Sequence, residues 1–258
     1  MDTSIRIFQP ILTPPERIWR ACVEPELISC WQADEAFGSV EPGGKVVLRW
    51  PALDAAVELN VIEVLRHDRV VVESGRSRVE FLLMPDGFAV THDGLEYGDE
   101  ADGVASSWRL SLALLAHYLE RHWGRRRRVT WFVHSLPTSA ETTHVYFSDA
   151  AGLGTWLATR GEIGPRGSEF TLRAAWGETI SGRVLSHTPG RDVLLTWEED
   201  GSSTLALRTL PSPRNPERRL LAVVWSRFGG VEAPDARRSG LAAAVGRLAR
   251  VLERVPTA

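Results

Sequence analysis

The chain is poor in sulfur. Its 258 residues include only two cysteines and two methionines, and both cysteines, Cys22 and Cys30, fall in one stretch that reads as helical. Two cysteines do not make a disulfide framework, and no C-x-x-C or Cys/His spacing suggests zinc. Net charge is small as well: 30 Lys and Arg against 33 Asp and Glu leave -3, so no global field draws the chain to nucleic acid or an anionic bilayer. No apolar run approaches the roughly 20 residues of a membrane-spanning helix. The opening MDTSIRIFQP lacks the basic-then-apolar order of a signal peptide. G-x-S-x-G, G-x-x-x-x-G-K-[ST], G-x-G-x-x-G and H-E-x-x-H are all missing. The acidic stretch Leu95 to Gly103 lacks calcium-loop spacing and reads as the loop before a helix. These absences lead us to expect a cytoplasmic protein with no cofactor, no metal, no nucleic-acid partner and no membrane span. Catalysis has no local signature, although an acid–base site assembled from distant strands would leave none.

What is abundant is tryptophan, ten residues of it, in a chain that is 43% hydrophobic. That content suffices for one large domain or two ordinary ones, and an internal repeat decides between them. The segment TPPERIWRACVEPELISCW, Thr13 to Trp31, begins with a T-x-x-E pattern in which Thr13 caps a helix and Pro14 takes its first position. Shifted by 125 residues, Thr138 to Trp156 reads TSAETTHVYFSDAAGLGTW, again T-x-x-E and again closing on Trp. VLRH from Val64 reappears as VLSH from Val184, and LAHYLER from Leu115 as LARVLER from Leu248. The chain therefore reads as two copies of one unit, residues 1–124 and 125–258.

In each copy a short strand (Ser4 to Gln9; Arg128 to His134) precedes the helix pair. In the first copy KVVLRW, AAVELNVIEVL, DRVVVES, SRVEFLLM and GFAVTHDG follow, separated by turn residues. A long helical pattern ends each copy, Ala105 to His122 and Asp235 to Val255. Its stripe of Trp108, Leu112, Leu115, Leu119 and His122 matches Leu241, Val245, Leu248, Leu252 and Val255, one face of a helix laid on a sheet. Strands in runs, without alternation with helices, point to an α+β fold with antiparallel sheets.

This order, with PPERIWRACVEPELISCW, then PGGKVVLRWP, then SWRLSLALLAHYLE, resembles the SRPBCC (START-like, helix-grip) superfamily, and within it the homologues of the activator of the heat-shock-protein-90 ATPase. The resemblance implies two tandem helix-grip units, each a curved antiparallel sheet wrapped around a long C-terminal helix with a cavity between them. It also implies a choice of roles, from small-ligand carriers through cyclase-like enzymes to co-chaperones.

Such a cavity would be walled by the helix stripe and by strand residues in phase with it. We expect Trp50, Phe81, Phe88, His92, Trp108, Leu112 and Leu115 to bind a small hydrophobic molecule, mainly in the first copy. His92 is the sharpest of these: it falls in phase with Phe88 and Val90, where the second copy has Trp225, and a polar ring on an apolar face can orient a ligand. A protein partner is the alternative, with the outer sheet face or the basic GRRRRV run, Gly124 to Val129, as contact surface. Trp31 and Trp156, at equivalent points, are expected to pin the small helices rather than to touch ligand.

Overall fold

The protein is described by a computed structural model covering residues 2–212, 215, 217–230 and 234–254. It divides into two compact units, Met1–Arg127 and Arg128–Ala258. The first contains strands β1 (Asp2–Pro10), β2 (Glu35–Gly38), β3 (Lys45–Trp50), β4 (Ala55–Leu65), β5 (Arg69–Ser74), β6 (Ser77–Met84) and β7 (Gly87–Glu96). Helices α1 (Pro15–Val23) and α2 (Pro25–Ile28) follow β1, and α3 (Asp99–Arg121) ends the unit. The second contains β8 (Arg127–Leu136), β9 (Ala158–Arg160), β10 (Glu169–Ala174), β11 (Thr179–Thr188), β12 (Asp192–Trp197), β13 (Ser203–Pro211) and β14 (Arg219–Phe228). Its helices are α4 (Ala140–Ser148), α5 (Ala150–Gly154) and α6 (Asp235–Leu252).

Each unit is one seven-stranded sheet, in the orders β1-β7-β6-β5-β4-β3-β2 and β8-β14-β13-β12-β11-β10-β9. These are one topology written twice, and the two-unit helix-grip α+β fold read from the sequence is the one formed. Edge strands β2 and β9 were not anticipated. They have only four and three residues, too few for an alternating pattern to register.

The strand registers align the two units residue by residue. Val72 faces Val61 and Val79, while Leu195 faces Val184 and Leu205. His92 faces Val79 and Trp225 faces Leu205. A register shift follows Val61 in one unit and Val184 in the other, so even the irregularity repeats. This alignment corrects one sequence match: Val184 of VLSH corresponds to Val61, and Val64 of VLRH corresponds to His187. The shared tetrapeptide is a coincidence three residues out of register.

The helix starts are also displaced by one residue from the expectation. Pro14, not Thr13, precedes α1, with no side-chain cap, at φ -56 and ψ 134. Pro15 disfavours a helical conformation in the residue before it, so Pro14 stays extended and Thr13 is left outside the first turn. In the second unit Ser139, not Thr138, caps α4, its Oγ accepting from Thr142 N at 3.0 Å. Helix α3 begins earlier than expected, at Asp99, taking up the acidic stretch read as a loop. Its first turn holds Asp99, Glu100 and Asp102, where carboxylates oppose the positive end of the helix dipole. It closes at Arg121 with His122 as its C-cap, whose buried ring meets that of His117 with Nε2 atoms 3.2 Å apart. Val255 lies outside the described residues.

The recurring tryptophans do one job twice. Trp31 Nε1 donates to Ala21 O at 3.0 Å and Trp156 Nε1 to Tyr146 O at 2.8 Å. Each therefore ties the residues after a unit's second helix to a carbonyl of its first. Helix α3 packs on β1 and β7. In the second unit Leu241, Val245, Leu248 and Leu252 of α6 join Leu172, Leu195, Leu207 and Val223 of the sheet in one apolar cluster.

Candidate functional site

A cavity of about 350 Å³ lies in the first unit between α3 and the sheet. Strand alternation puts Leu48 and Trp50 of β3, Val57 and Leu59 of β4, and Val79 and Phe81 of β6 on its wall. Val72 and Ser74 of β5, Ser77 of β6 and His92 of β7 extend that wall, Gln32 closes it from the segment after α2, and Trp108 covers it from α3. Leu48, Val72, Val79 and Trp108 are buried, whereas Val57 is 38% exposed and marks the mouth. A second void of about 30 Å³, walled by Cys22, Ile28, Trp31 and Val70 among others, shares Gln32, Leu48, Leu59, Val72 and Phe81 with the first.

Four expected residues, Trp50, Phe81, His92 and Trp108, meet on this wall. Phe88, Leu112 and Leu115 do not line it; they are fully buried in the core. Phe88 stacks against Phe81 with ring centroids 6.0 Å apart and planes 11° from parallel. Leu112 and Leu115 lie one and two helical turns past Trp108. The sequence reading missed Gln32, Ser74 and Ser77. For Gln32 and Ser74 the signal is the aligned second unit, which has Leu157 and Trp197 at these points, whereas Ser77 aligns with Ser203 and has none.

His92 is held by one bond and one burial effect. Its Nδ1 accepts from Trp108 Nε1 at 3.0 Å, and the two rings meet nearly edge to face, 6.2 Å between centroids. Indole N–H only donates, so Nδ1 is unprotonated and the neutral ring carries its proton on Nε2. Burial lowers the imidazole pKa below the usual 6.5, against the raising effects of Asp93 and Glu100. His92 Nε2 and Gln32 Oε1 are both shielded from solvent and have no hydrogen-bond partner. An unsatisfied polar atom of this kind costs about 1–3 kcal/mol. Among the described residues no group of three or more His, Cys, Asp or Glu is placed to hold a metal ion, and no helix is long and apolar enough to cross a membrane.

The equivalent positions of the second unit are filled. Trp197 replaces Ser74, Trp225 replaces His92 and Leu241 replaces Trp108; all three are 0% exposed. The two indoles lie 5.7 Å apart. Trp225 Nε1 donates to Asp200 Oδ2 at 2.9 Å and to Ser203 Oγ at 3.1 Å. Arg227 and Arg237 pair with the same carboxylate at 3.0 and 2.6 Å. Asp200 comes from a longer turn: residues 198–202 join β12 to β13, where only 75 and 76 join β5 to β6.

Several solved structures resemble the chain at low identity. DynU16, a protein of the dynemicin biosynthetic locus, is 17% identical, with a TM-score of 0.40, over 96% of this chain and 98% of its own. Protein SSP2350 from Staphylococcus saprophyticus is 23% identical, TM-score 0.38, over 46% of this chain and 92% of its own. The Aha1 dimer from Colwellia psychrerythraea is 16% identical, TM-score 0.39, over 46% and 96%. No curated protein matches the chain. Residues 12–120 match the profile of the activator of Hsp90 ATPase homolog 1-like proteins, a span within the first unit. That match makes the first unit similar to the activator of Hsp90 ATPase homolog 1-like proteins and reaches no residue of the second.

Proposed function

We propose that the first unit binds a small, largely apolar molecule in the cavity between α3 and the sheet, and that the second unit serves as structure. The observation that carries this reading is the cavity of about 350 Å³ with aromatic walls and a few polar atoms, a volume and lining typical of small-molecule sites. Burial of apolar ligand surface drives binding at about 25 cal/mol per Å² before association costs. Trp50, Phe81 and Trp108 supply surface, while His92 and Gln32 set orientation.

Native mass spectrometry of freshly purified protein, compared with the same sample denatured, tests the reading. A retained mass that disappears on denaturation, and is missing from Ser74→Trp, is the expected result. The variant copies into the first unit the residue that fills the second. A protein that retains no mass, and whose titration with naphthalene-sized apolar probes gives the same null heat in wild type and Ser74→Trp, would reject the proposal. A protein-interaction role is a second reading, favoured by Phe37 and Ile62 of the first unit, which are 51% and 45% exposed. In that case Phe37→Ser with Ile62→Ser would abolish partner capture and leave small-molecule uptake unchanged.

A further inference from the structure

We infer that Arg160 and Arg173, on the outer face of the second unit's sheet edge, receive a carboxylate from an extended acidic segment of a partner protein. The site lies on the surface and is independent of the cavity reading.

Strand pairing puts the two side chains next to each other. β9 is an edge strand of its sheet, and Arg160 of β9 stands directly opposite Arg173 of β10, on the same face. That face points outward, because the alternate residues Phe170, Leu172 and Ala174 are buried in the core cluster. Both arginines are exposed. Like charges at directly opposed positions destabilise a sheet, and neither guanidinium has an ion pair or a hydrogen bond among the described residues. The surrounding carboxylates are engaged elsewhere: Glu199 by Ser181 N and Oγ at 3.0 and 2.5 Å, Glu178 by Trp176 and Arg237 at 3.0 and 3.2 Å, and Glu169 by Arg183 at 3.8 Å. Glu162, two residues past Arg160, pairs with neither arginine.

The first unit shows what fits between such strands. Its registers align Arg49 with Arg173 and place Glu35 where the second unit has Arg160. There the carboxylate of Glu35, offered by the neighbouring strand, comes within 3.9 Å of Arg49. At the other end of the same strand both units keep an ion pair with its signs exchanged, Lys45 with Glu58 at 2.5 Å and Glu169 with Arg183 at 3.8 Å. At the edge, instead, the pair has become two like charges. Two unengaged forks of N–H donors suit a carboxylate, and the outer backbone groups of an edge strand can pair with an added strand. A glutamate or aspartate on such a strand would stand toward Arg160 as Glu35 stands toward Arg49.

Hexaglutamate titrated into the full-length protein, and followed by the arginine Nε–Hε signals in NMR spectra, tests the inference. It is expected to bind at about 20 mM salt, shifting the signals of Arg160 and Arg173, and to be released at about 500 mM. Arg173→Gln should weaken binding about two- to fivefold. Arg160→Glu, which rebuilds the first unit's pair, should abolish binding while leaving the unfolding midpoint at or above that of the wild type, which separates lost recognition from lost folding. The reverse substitution, Glu35→Arg, should give the first unit a site of its own. Unchanged binding in Arg160→Glu overturns the inference. A loss of equal size in Arg126→Gln does so too, because it assigns the peptide to the basic run after α3. Absence of binding to the wild type at low salt also overturns it, and inorganic phosphate held as tightly as hexaglutamate overturns the peptide as occupant.

Discussion

The two units share a topology, a strand register and the position of a β-irregularity, yet their interiors are solved differently. In the first, the large ring beneath the helix belongs to the helix itself: Trp108 reaches down over Ser74, Ser77 and His92. In the second the helix contributes Leu241 and the sheet contributes Trp197 and Trp225. The polar Gln32 likewise gives way to Leu157, which is buried. Volume also shifts between neighbouring strands, since Val46 and Leu59 pair in one unit where Phe170 and Gly182 pair in the other. The lesson is that the fold is specified by what the units share, chiefly the alternation of the strands and the helix stripe. A few positions then decide whether the space under the helix is packed or open.

The comparison can be broken at its most unequal point. Trp225→Ala removes a fully buried indole and leaves a void, and should destabilise the second unit by about 3–5 kcal/mol in denaturant titration. His92→Ala, at the equivalent place beside an existing cavity, should cost only about 1 kcal/mol, the loss of the Trp108 bond. Similar costs at the two positions would refute the contrast of packed and open interiors. Asp200→Ala should be as severe as Trp225→Ala, about 3–5 kcal/mol, because Arg227 and Arg237 lose their shared buried counter-charge.

Smaller effects test what the units have in common. Trp31→Phe and Trp156→Phe each remove one indole-to-carbonyl bond and should cost about 1 kcal/mol apiece, in equal measure, by chemical denaturation. Acid should weaken both units. Burial lowers His92 and His144 below the usual 6.5, His144 with further lowering from His187 and an opposing effect of Asp192. Between each folded value and about 6.5 the unfolded chain binds more protons, so the contribution is complete above 6.5 and declines as pH falls through that window. Denaturation midpoints measured from pH 7.5 to 5 should show the decline, and His92→Phe and His144→Phe should each flatten it. The smallest contrast is at the caps. Ser139→Ala should cost about 0.5–1 kcal/mol, while Thr13→Ala should leave stability within about 0.5 kcal/mol.

Most of the fold was legible because its signals are periodic. KVVLRW and AAVELNVIEVL are runs rich in β-branched residues set off by turn residues, and they became β3 and β4 with the bounds read from the sequence. The displaced helix starts show where pattern reading stops. T-x-x-E is present twice, but the conformational limit that Pro15 imposes on Pro14 outweighs it in one copy, and Ser139 stands in a better place than Thr138 in the other. The candidate site was half legible. His92 stood out as an exception within an apolar series and Trp108 was read as one member of the helix stripe, whereas Ser74 is a small residue at a strand end and carries no pattern of its own. Phe88 and Trp50 have the same phase in sequence, and only packed volume distinguishes a residue facing space from one facing neighbours.

The pairing of Trp197 with Trp225, rings 5.7 Å apart and planes 33° from parallel, has an optical consequence. Two indoles so close and so fixed couple their electronic transitions, giving a signed doublet in circular dichroism that vanishes when the pair separates. Trp108, bonded to an imidazole, should instead dim in emission when that imidazole takes up a proton. Among ten tryptophans these two signals are read as differences against Trp108→Phe and Trp225→Phe, one for each half of the chain, and melting curves recorded in both would show whether the halves come apart together or in turn.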